Sequence, residues 1–174
     1  KTGRGPARRA GFTKAKGDII FSTDADAQVP PDWIEKYSEY FKDSSLSAVS
    51  GPSKINDCSK ITNFIYTTAQ PLFLKILGFI FGYNFLNGYS FAIRKSIYDK
   101  SGGFNSELNG QEDVDLSVRV GKIGKTKFVD EPVVVFSGRR FKKGLVLGLL
   151  SYSKSVAKYL LCKDKKNVIL SDIR

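Results

Sequence analysis

Two groups of carboxylates hold most of the chemistry this sequence could perform. Asp24-Ala-Asp26 sets two acids one residue apart, and Glu112-Asp113-x-Asp115 crowds three into four positions. A pair of the first kind can hold Mg²⁺ or Mn²⁺ through oxygen while the metal's remaining positions take phosphate oxygens. A solvated acidic loop is the competing reading of Asp24 and Asp26. An EF-hand is a third, because Asp24, Asp26, Gln28, Asp32 and Glu35 fall at the ligand positions of such a loop. It fails on mechanics: Val29 stands where the sharp turn needs Gly, Pro30-Pro31 follow, and the preceding residues read as a strand. In the second group, crowded like charges push proton affinities apart, which can make one carboxylate a usable general base. Ordinary N-terminal helix charge fits these acids equally well, and Arg119, four residues after Asp115, is placed to pair with it.

Histidine is absent, which removes His-based metal sites, Ser-His-Asp triads and Cys-His dyads together. Acid-base or metal chemistry must then rest on carboxylates. Cys58 and Cys162 belong to no CxxC pair, so neither a zinc site nor a disulfide framework is indicated and a reducing compartment is expected. The net charge of +11 on 174 residues is unevenly placed. Residues 1–21 hold six basic side chains against one acid, and residues 138–174 hold ten against two. The stretch between carries 12 basic and 14 acidic residues and is nearly neutral. Basic ends of this kind suit nucleic acid, a nucleotide diphosphate or anionic lipid.

The elements that must position these residues alternate between helix and strand. Residues 7–16 read as a helix closed by Gly17, and 18–23 as a buried strand that delivers Asp24 and Asp26 just beyond its end. That is where open α/β sheets bind ligands. Pro30-Pro31 start a helix over 31–41 with Trp33, Ile34, Tyr37 and Phe41 at helical spacing. Strands follow at 46–51 and 88–94, then a short helix at 95–100 ended by Gly102-Gly103. The acids of the second group open a helix over 112–122, and strands follow at 126–130 and 132–136. Residues 58–82 form a long apolar helical stretch, read as interrupted at Pro71 and as buried or touching a membrane surface. A final helix over 142–162 carries Leu145, Leu149, Tyr152, Val156, Tyr159 and Leu160 with Lys142, Lys143, Lys154 and Lys158. No apolar run approaches the roughly 18 residues of a membrane span, so no crossing is expected. The alternation gives an α/β class with a mixed sheet.

Read in order, these segments resemble the inverting family 2 glycosyltransferases of the GT-A fold. The resemblance runs through GPARRAG, DIIFSTDADAQVPPDW, GYSFAIRKSIYDKSGGFN and QEDVDLSVRVGKIGKTKFVDEPVVV. It implies that Asp24 and Asp26 are the DxD motif, Asp24 towards the ribose or metal and Asp26 on a Mg²⁺ or Mn²⁺ that bridges the donor diphosphate. It implies further that Asp113 is the general base for the acceptor hydroxyl, with Glu112 in reserve. Arg8 and Arg9 match the region where a basic residue nears the nucleotide, Arg9 replacing the more usual Asn. Arg140-Phe141 matches the Arg-Trp half of the QxxRW motif, with Ser137 where Gln is expected, which puts processive synthesis in doubt. Arg139 and Arg140 are expected either at the diphosphate or in a solvated basic turn. Gly102-Gly103-Phe104 matches a GGF element beside the acceptor pocket, or is a plain turn.

The resemblance implies a nucleotide-diphosphate sugar as donor and a glycan or lipid-linked hydroxyl as acceptor. The family's first strands have no counterpart here and position 1 is not Met, so residues 1–137 are expected to be part of a GT-A catalytic domain and 138–174 a basic amphipathic helix and tail. Such a piece alone is expected to be weakly active or inactive. The expected location is cytoplasmic, peripheral at the cytoplasmic face of a membrane. A nucleic-acid-binding module and a sugar nucleotidyltransferase are the alternatives. The first would need aromatics interleaved with basic residues, whereas most aromatics here lie in core-like stretches, and no nucleic acid is expected. The second lacks a glycine-rich phosphate loop.

Overall fold

The computed structural model describes residues 3–108, 110–142, 144–148, 150 and 159. Helix α1 (Arg4–Lys14) leads into β1 (Ile19–Ser22), and α2 (Trp33–Tyr40) into β2 (Leu46–Ser50) and the short β3 (Ser53–Lys54). The long α3 (Lys60–Phe81) precedes β4 (Phe91–Arg94), α4 (Lys95–Lys100) and α5 (Glu112–Gly121). Strands β5 (Lys125–Phe128) and β6 (Val134–Val135) and a 3₁₀ turn at Arg139–Phe141 follow.

The main sheet runs β1-β4-β2-β5. Strand β4 is antiparallel to both β1 and β2, while β2 and β5 are parallel, so the sheet is mixed as the alternation of elements implied. Strands β3 and β6 form a separate parallel pair. Period-two alternation sends Ile20, Ala48, Phe91 and Ile93 to one face, where they pack with Phe12 of α1, Tyr98 of α4 and Leu116 and Val120 of α5. Ile19, Phe21, Val49 and Ala92 face the other side, against Trp33 and Tyr37 of α2. Helices on both faces leave the sheet buried, as an α/β layer requires.

Helix α2 buries Trp33, Tyr37 and Phe41, and Ser90 takes the polar tips of the first two: Trp33 Nε1 donates to its Oγ at 3.1 Å, and the Tyr37 hydroxyl lies 2.6 Å away. Ile34, expected on that face, is exposed. Strands 126–130 and 132–136 shrink to Lys125–Phe128 and Val134–Val135, and β3 appears where no strand was expected. Paired only with the two-residue β6, it leaves almost no hydrophobic pattern to read.

The largest departure is α3. It runs unbroken through Pro71 for 22 residues. A proline inside a helix costs about 3 kcal/mol, and side-chain bonds tie the helix to the domain on either side of it: Tyr66 OH lies 2.9 Å from Ser53 Oγ, Gln70 Nε2 donates to Tyr89 OH at 2.5 Å, and Lys75 pairs with Asp130 at 2.5 Å. Continuity corrects the expectation that no segment is long enough for a bilayer. By length and composition α3 is one helix able to cross a membrane, and only 11% of its apolar window is buried. Residues 145–148 are helical, but most of the expected 142–162 helix, like Cys162, lies outside the described residues.

Candidate active site

Strand β1 is half-buried at Ile19 and buried at Ile20 and Ser22, and where it ends the chain turns outward as Asp24-Ala-Asp26. Helix α5 begins at Glu112 after Gln111, whose backbone is left-handed at φ 58°. A non-glycine residue there carries a conformational cost of about 1–2 kcal/mol, and the turn it makes starts α5 with Glu112 and Asp113 on the wall of a cavity. That cavity, about 1120 Å³, is lined by Arg8, Asp24, Asp26, Glu112, Asp113, Arg139 and Arg140, which brings seven of the residues expected at the site together. Strand end and helix start lie 88 positions apart between Asp24 and Glu112.

Arg8, from the middle of α1, joins the two acidic groups. Its Nη2 donates to Asp24 Oδ1, and its Nε donates to Glu112 Oε1 at 3.2 Å. Nη1 donates to Ser22 Oγ at 2.9 Å and to the Gly88 carbonyl at 3.1 Å. Every guanidinium nitrogen is therefore engaged in a fixed fork. Burial works against the Arg8 charge, but Asp24, Asp113 and Glu112 together outweigh it and raise its pKa. Burial raises the Asp24 pKa, with Arg8 pulling it down and Asp113 and Asp26 adding to the rise. Glu112 is also raised, first by burial and then by the Asp113 charge, against one backbone bond and the charges of Arg8 and Arg4.

Asp113 is held by backbone. Its Oδ2 accepts from the Gly88 N–H at 3.1 Å and its Oδ1 from the Val114 N–H at 2.9 Å. Each oxygen keeps a lone pair for a further donor. A Cβ at Gly88 would lie 2.7 Å from Arg8 Nη2 and 3.0 Å from Asp113 Oδ2, so a larger residue there would push the ends of these two side chains out of place. Asp115 leaves this group: it binds Arg119 through Nε at 3.0 Å and Nη2 at 2.5 Å and accepts from the Tyr159 hydroxyl at 2.5 Å. It shapes the helix and does not line the cavity.

On the far side, Arg139 Nη2 lies 3.1 Å from Asp26 Oδ2. The turn that carries Arg139 is pinned by Asp57, which accepts from the Gly138 N–H at 2.7 Å and the Ser137 hydroxyl at 3.0 Å. Ser137, standing where Gln was expected, thus helps to anchor the turn. Arg9 departs from the sequence expectation. Its Nη1 donates to the carbonyls of Gly102 at 3.1 Å and Phe104 at 2.7 Å, on the side of α1 away from the cavity. Phe104 is fully buried in the core beside Phe12 and Phe91, and Gly102-Gly103-Phe104 lines no part of the cavity. Gly102 and Gly103 have φ of 82° and 67° and make the turn that glycine permits.

Asp24 and Asp26 fit a divalent ion by donor chemistry, since both present carboxylate oxygens to one cavity. Among the described residues no group of three acids, Cys or His could hold a metal alone, so further ligands would have to come from a diphosphate or water. The sequence reading missed Gly88, Gln111, Ser22 and Asp57. Gly88 had a signal, a glycine next to a strand where another group approaches closely. Asp57 had none, because its partners lie some 80 positions away.

No curated protein matches the chain. A mannosyltransferase from Pyrobaculum calidifontis, PcManGT, solved in complex with GDP-Man and Mn²⁺, shares the fold at a TM-score of 0.56 and 19% identity. The match covers 88% of this chain but 44% of that one, so the chain spans less than half of its structural relative. The shared arrangement is the GT-A type of mixed sheet between helices. The family model described as glycosyl transferase family 2 matches residues 1–102, which include Arg8, Asp24, Asp26 and Gly88 and stop short of Glu112. On that match over more than half its length, the chain belongs to glycosyl transferase family 2.

Proposed function

We propose that this protein transfers a sugar from a nucleotide-diphosphate donor to an acceptor hydroxyl with inversion at the anomeric carbon. The observation that carries the reading is that Arg8 ties Asp24 to Glu112 at one cavity wall, which sets the two acidic groups on one reaction centre. In this reading Asp24 and Asp26 hold a Mg²⁺ or Mn²⁺, with Asp26 nearest the diphosphate. The metal supplies Lewis-acid stabilisation of the charge that grows on the leaving diphosphate. Arg139, already at Asp26, and Arg140 add fixed positive charge on the same side.

Asp113 takes the proton of the acceptor hydroxyl as the oxygen attacks the anomeric carbon and the bond to the diphosphate breaks. Two backbone N–H groups hold its carboxylate in place, so little reorganisation is needed at that moment. Inversion demands acceptor and leaving group on opposite faces of the sugar. In this reading the DxD loop serves the leaving diphosphate and the start of α5 serves the acceptor. GDP-Man and Mn²⁺ in the mannosyltransferase structure support a nucleotide-sugar donor and a divalent ion. The acceptor is a glycan or lipid-linked hydroxyl at the cytoplasmic face of a membrane. We also propose residues 1–137 as part of the catalytic domain and 138–174 as a basic appendage to it.

The test is calorimetry with GDP and UDP, with and without Mn²⁺, followed by proton NMR of the glycoside formed from the matching nucleotide sugar. Nucleotide binding should need the ion, Asp26→Asn should lose about tenfold or more of the metal-dependent affinity, and the product should carry the anomeric configuration opposite to the donor's. Metal-independent binding that Asp26→Asn leaves intact, or retention of configuration, would sink the reading.

A further inference from the structure

Exposed apolar side chains are concentrated in one place on this molecule. Among the described residues 14 large hydrophobics are exposed, nine of them on α3 and three at Val146, Leu147 and Leu150. Phe79 is 90% exposed, Ile61 73% and Phe64 71%. The two segments are neighbours, because Leu145 packs in the cluster that contains Tyr66 of α3 and Phe141. A soluble surface rarely gathers this much apolar area without a partner.

Charge identifies the partner. Helix α3 contains no acidic residue, and its two charges, Lys60 and Lys75, are both basic. Beyond it, residues 138–174 hold ten basic side chains against two acids. A second copy of the chain would bring α3 against α3 with no carboxylate on either helix to pair Lys60. An anionic lipid surface meets both features at once, with headgroups for the cations and acyl chains for the phenylalanines and isoleucines.

The inner side of α3 fixes how it lies. Tyr66, Gln70 and Lys75 bind Ser53, Tyr89 and Asp130, residues of the domain beneath. Crossing a bilayer would strip Gln70 and Lys75 of these partners inside hydrocarbon. The outer side asks for less, since Thr68, exposed among the apolar residues, returns its hydroxyl to the Phe64 carbonyl at 2.9 Å.

We propose that the outer face of α3, with Val146, Leu147 and Leu150 beside it, docks this protein in the headgroup plane of an anionic bilayer without crossing it. Phe73, Leu74 and Leu77 of the same helix line the cavity that holds Asp113. Docking therefore sets the cavity at headgroup level, where an amphiphilic acceptor presents its hydroxyl. Only that last consequence rests on the transferase reading.

Flotation of the full protein with phosphatidylcholine vesicles, with and without about one third phosphatidylglycerol, tests the docking. The protein should float with the anionic vesicles at low salt, float less with neutral ones, and be released by alkaline carbonate. A Phe64→Ser, Phe79→Ser, Ile80→Ser triple variant, which alters only exposed positions, should lose about tenfold or more of the floated fraction with an unchanged melting temperature. Asp113→Asn should float like the parent even as it loses transfer, which separates failure of docking from failure of the chemistry. A parent that stays at the bottom at low salt, or a folded triple variant that floats equally well, overturns the proposal. So does resistance to carbonate, which means the helix spans, or light scattering that shows a dimer dissolved by the triple variant without flotation, which means a second copy covers the face.

Discussion

Asp24 and Asp26 sit on an open loop with side chains 39% and 43% exposed, whereas Glu112, on the same cavity, opens α5 with a side chain 5% exposed. The loop acids are each met by an arginine side chain, Arg8 or Arg139, while Asp113 beside Glu112 is met by two backbone N–H groups. Arg139, itself half-exposed, can swing from Asp26 to a metal-bound diphosphate, whereas Arg8 is fixed by four bonds and keeps its hold on Asp24. Backbone partners cannot move away, which suits the base role proposed for Asp113. The contrast teaches which pair should respond to ligand and which to pH. Arg8 belongs to both, and it transmits the charge of one to the other.

Asp113→Asn gives the sharpest division between the two pairs. The amide can still accept from Gly88 but cannot take a proton, so kcat should fall by roughly 10²–10⁴-fold while metal-dependent nucleotide binding stays near the parent's. A variant with normal turnover would move the base elsewhere, with Glu112 the next residue to test. Arg8→Gln should have the largest effect on stability. It leaves Glu112 buried and Asp24 half-buried without their shared cation, and breaking a buried pair from one side costs about 3–5 kcal/mol. A melting temperature within a degree or two of the parent's would show that the two pairs are held independently.

The strands of the main sheet, most helices and both acidic groups were legible because each is local. A buried β-rich run before DADAQ, and acids at the head of an amphipathic helix, need only their own neighbours to be read. What escaped reading depends on distance. Nothing local shows that Arg8 faces the cavity and Arg9 the Gly102 and Phe104 carbonyls, since adjacent helical residues point about 100° apart and only the packing of α1 decides which goes where. Pro71 misled for the opposite reason. Its local cost is real, but the bonds of Tyr66, Gln70 and Lys75 to distant residues, which hold the helix on both sides of it, have no local signal. Phe104 looked like part of an acceptor pocket by motif and proved to be core, buried against Phe12, which a three-residue pattern cannot show.

The smallest expected effect concerns pH and bears on the buried half of the comparison alone. Burial first, and then the Asp113 charge, raise the Glu112 pKa above 4.5. The folded state therefore holds the Glu112 proton more tightly than the unfolded chain does. Its contribution to stability is fully present below about pH 4.5 and is lost as pH rises through the elevated folded pKa. Glu112→Gln removes this titration and keeps an acceptor for Arg8 Nε. The variant's melting temperature should accordingly decline less than the parent's between pH 4.5 and neutrality. Asp24 shifts in the same direction, so some decline should remain in the variant. Parallel melting curves for parent and variant across that range would mean that Arg8 fully compensates the Glu112 charge, and the two acidic pairs would then differ in exposure without differing in how strongly folding resists their ionisation.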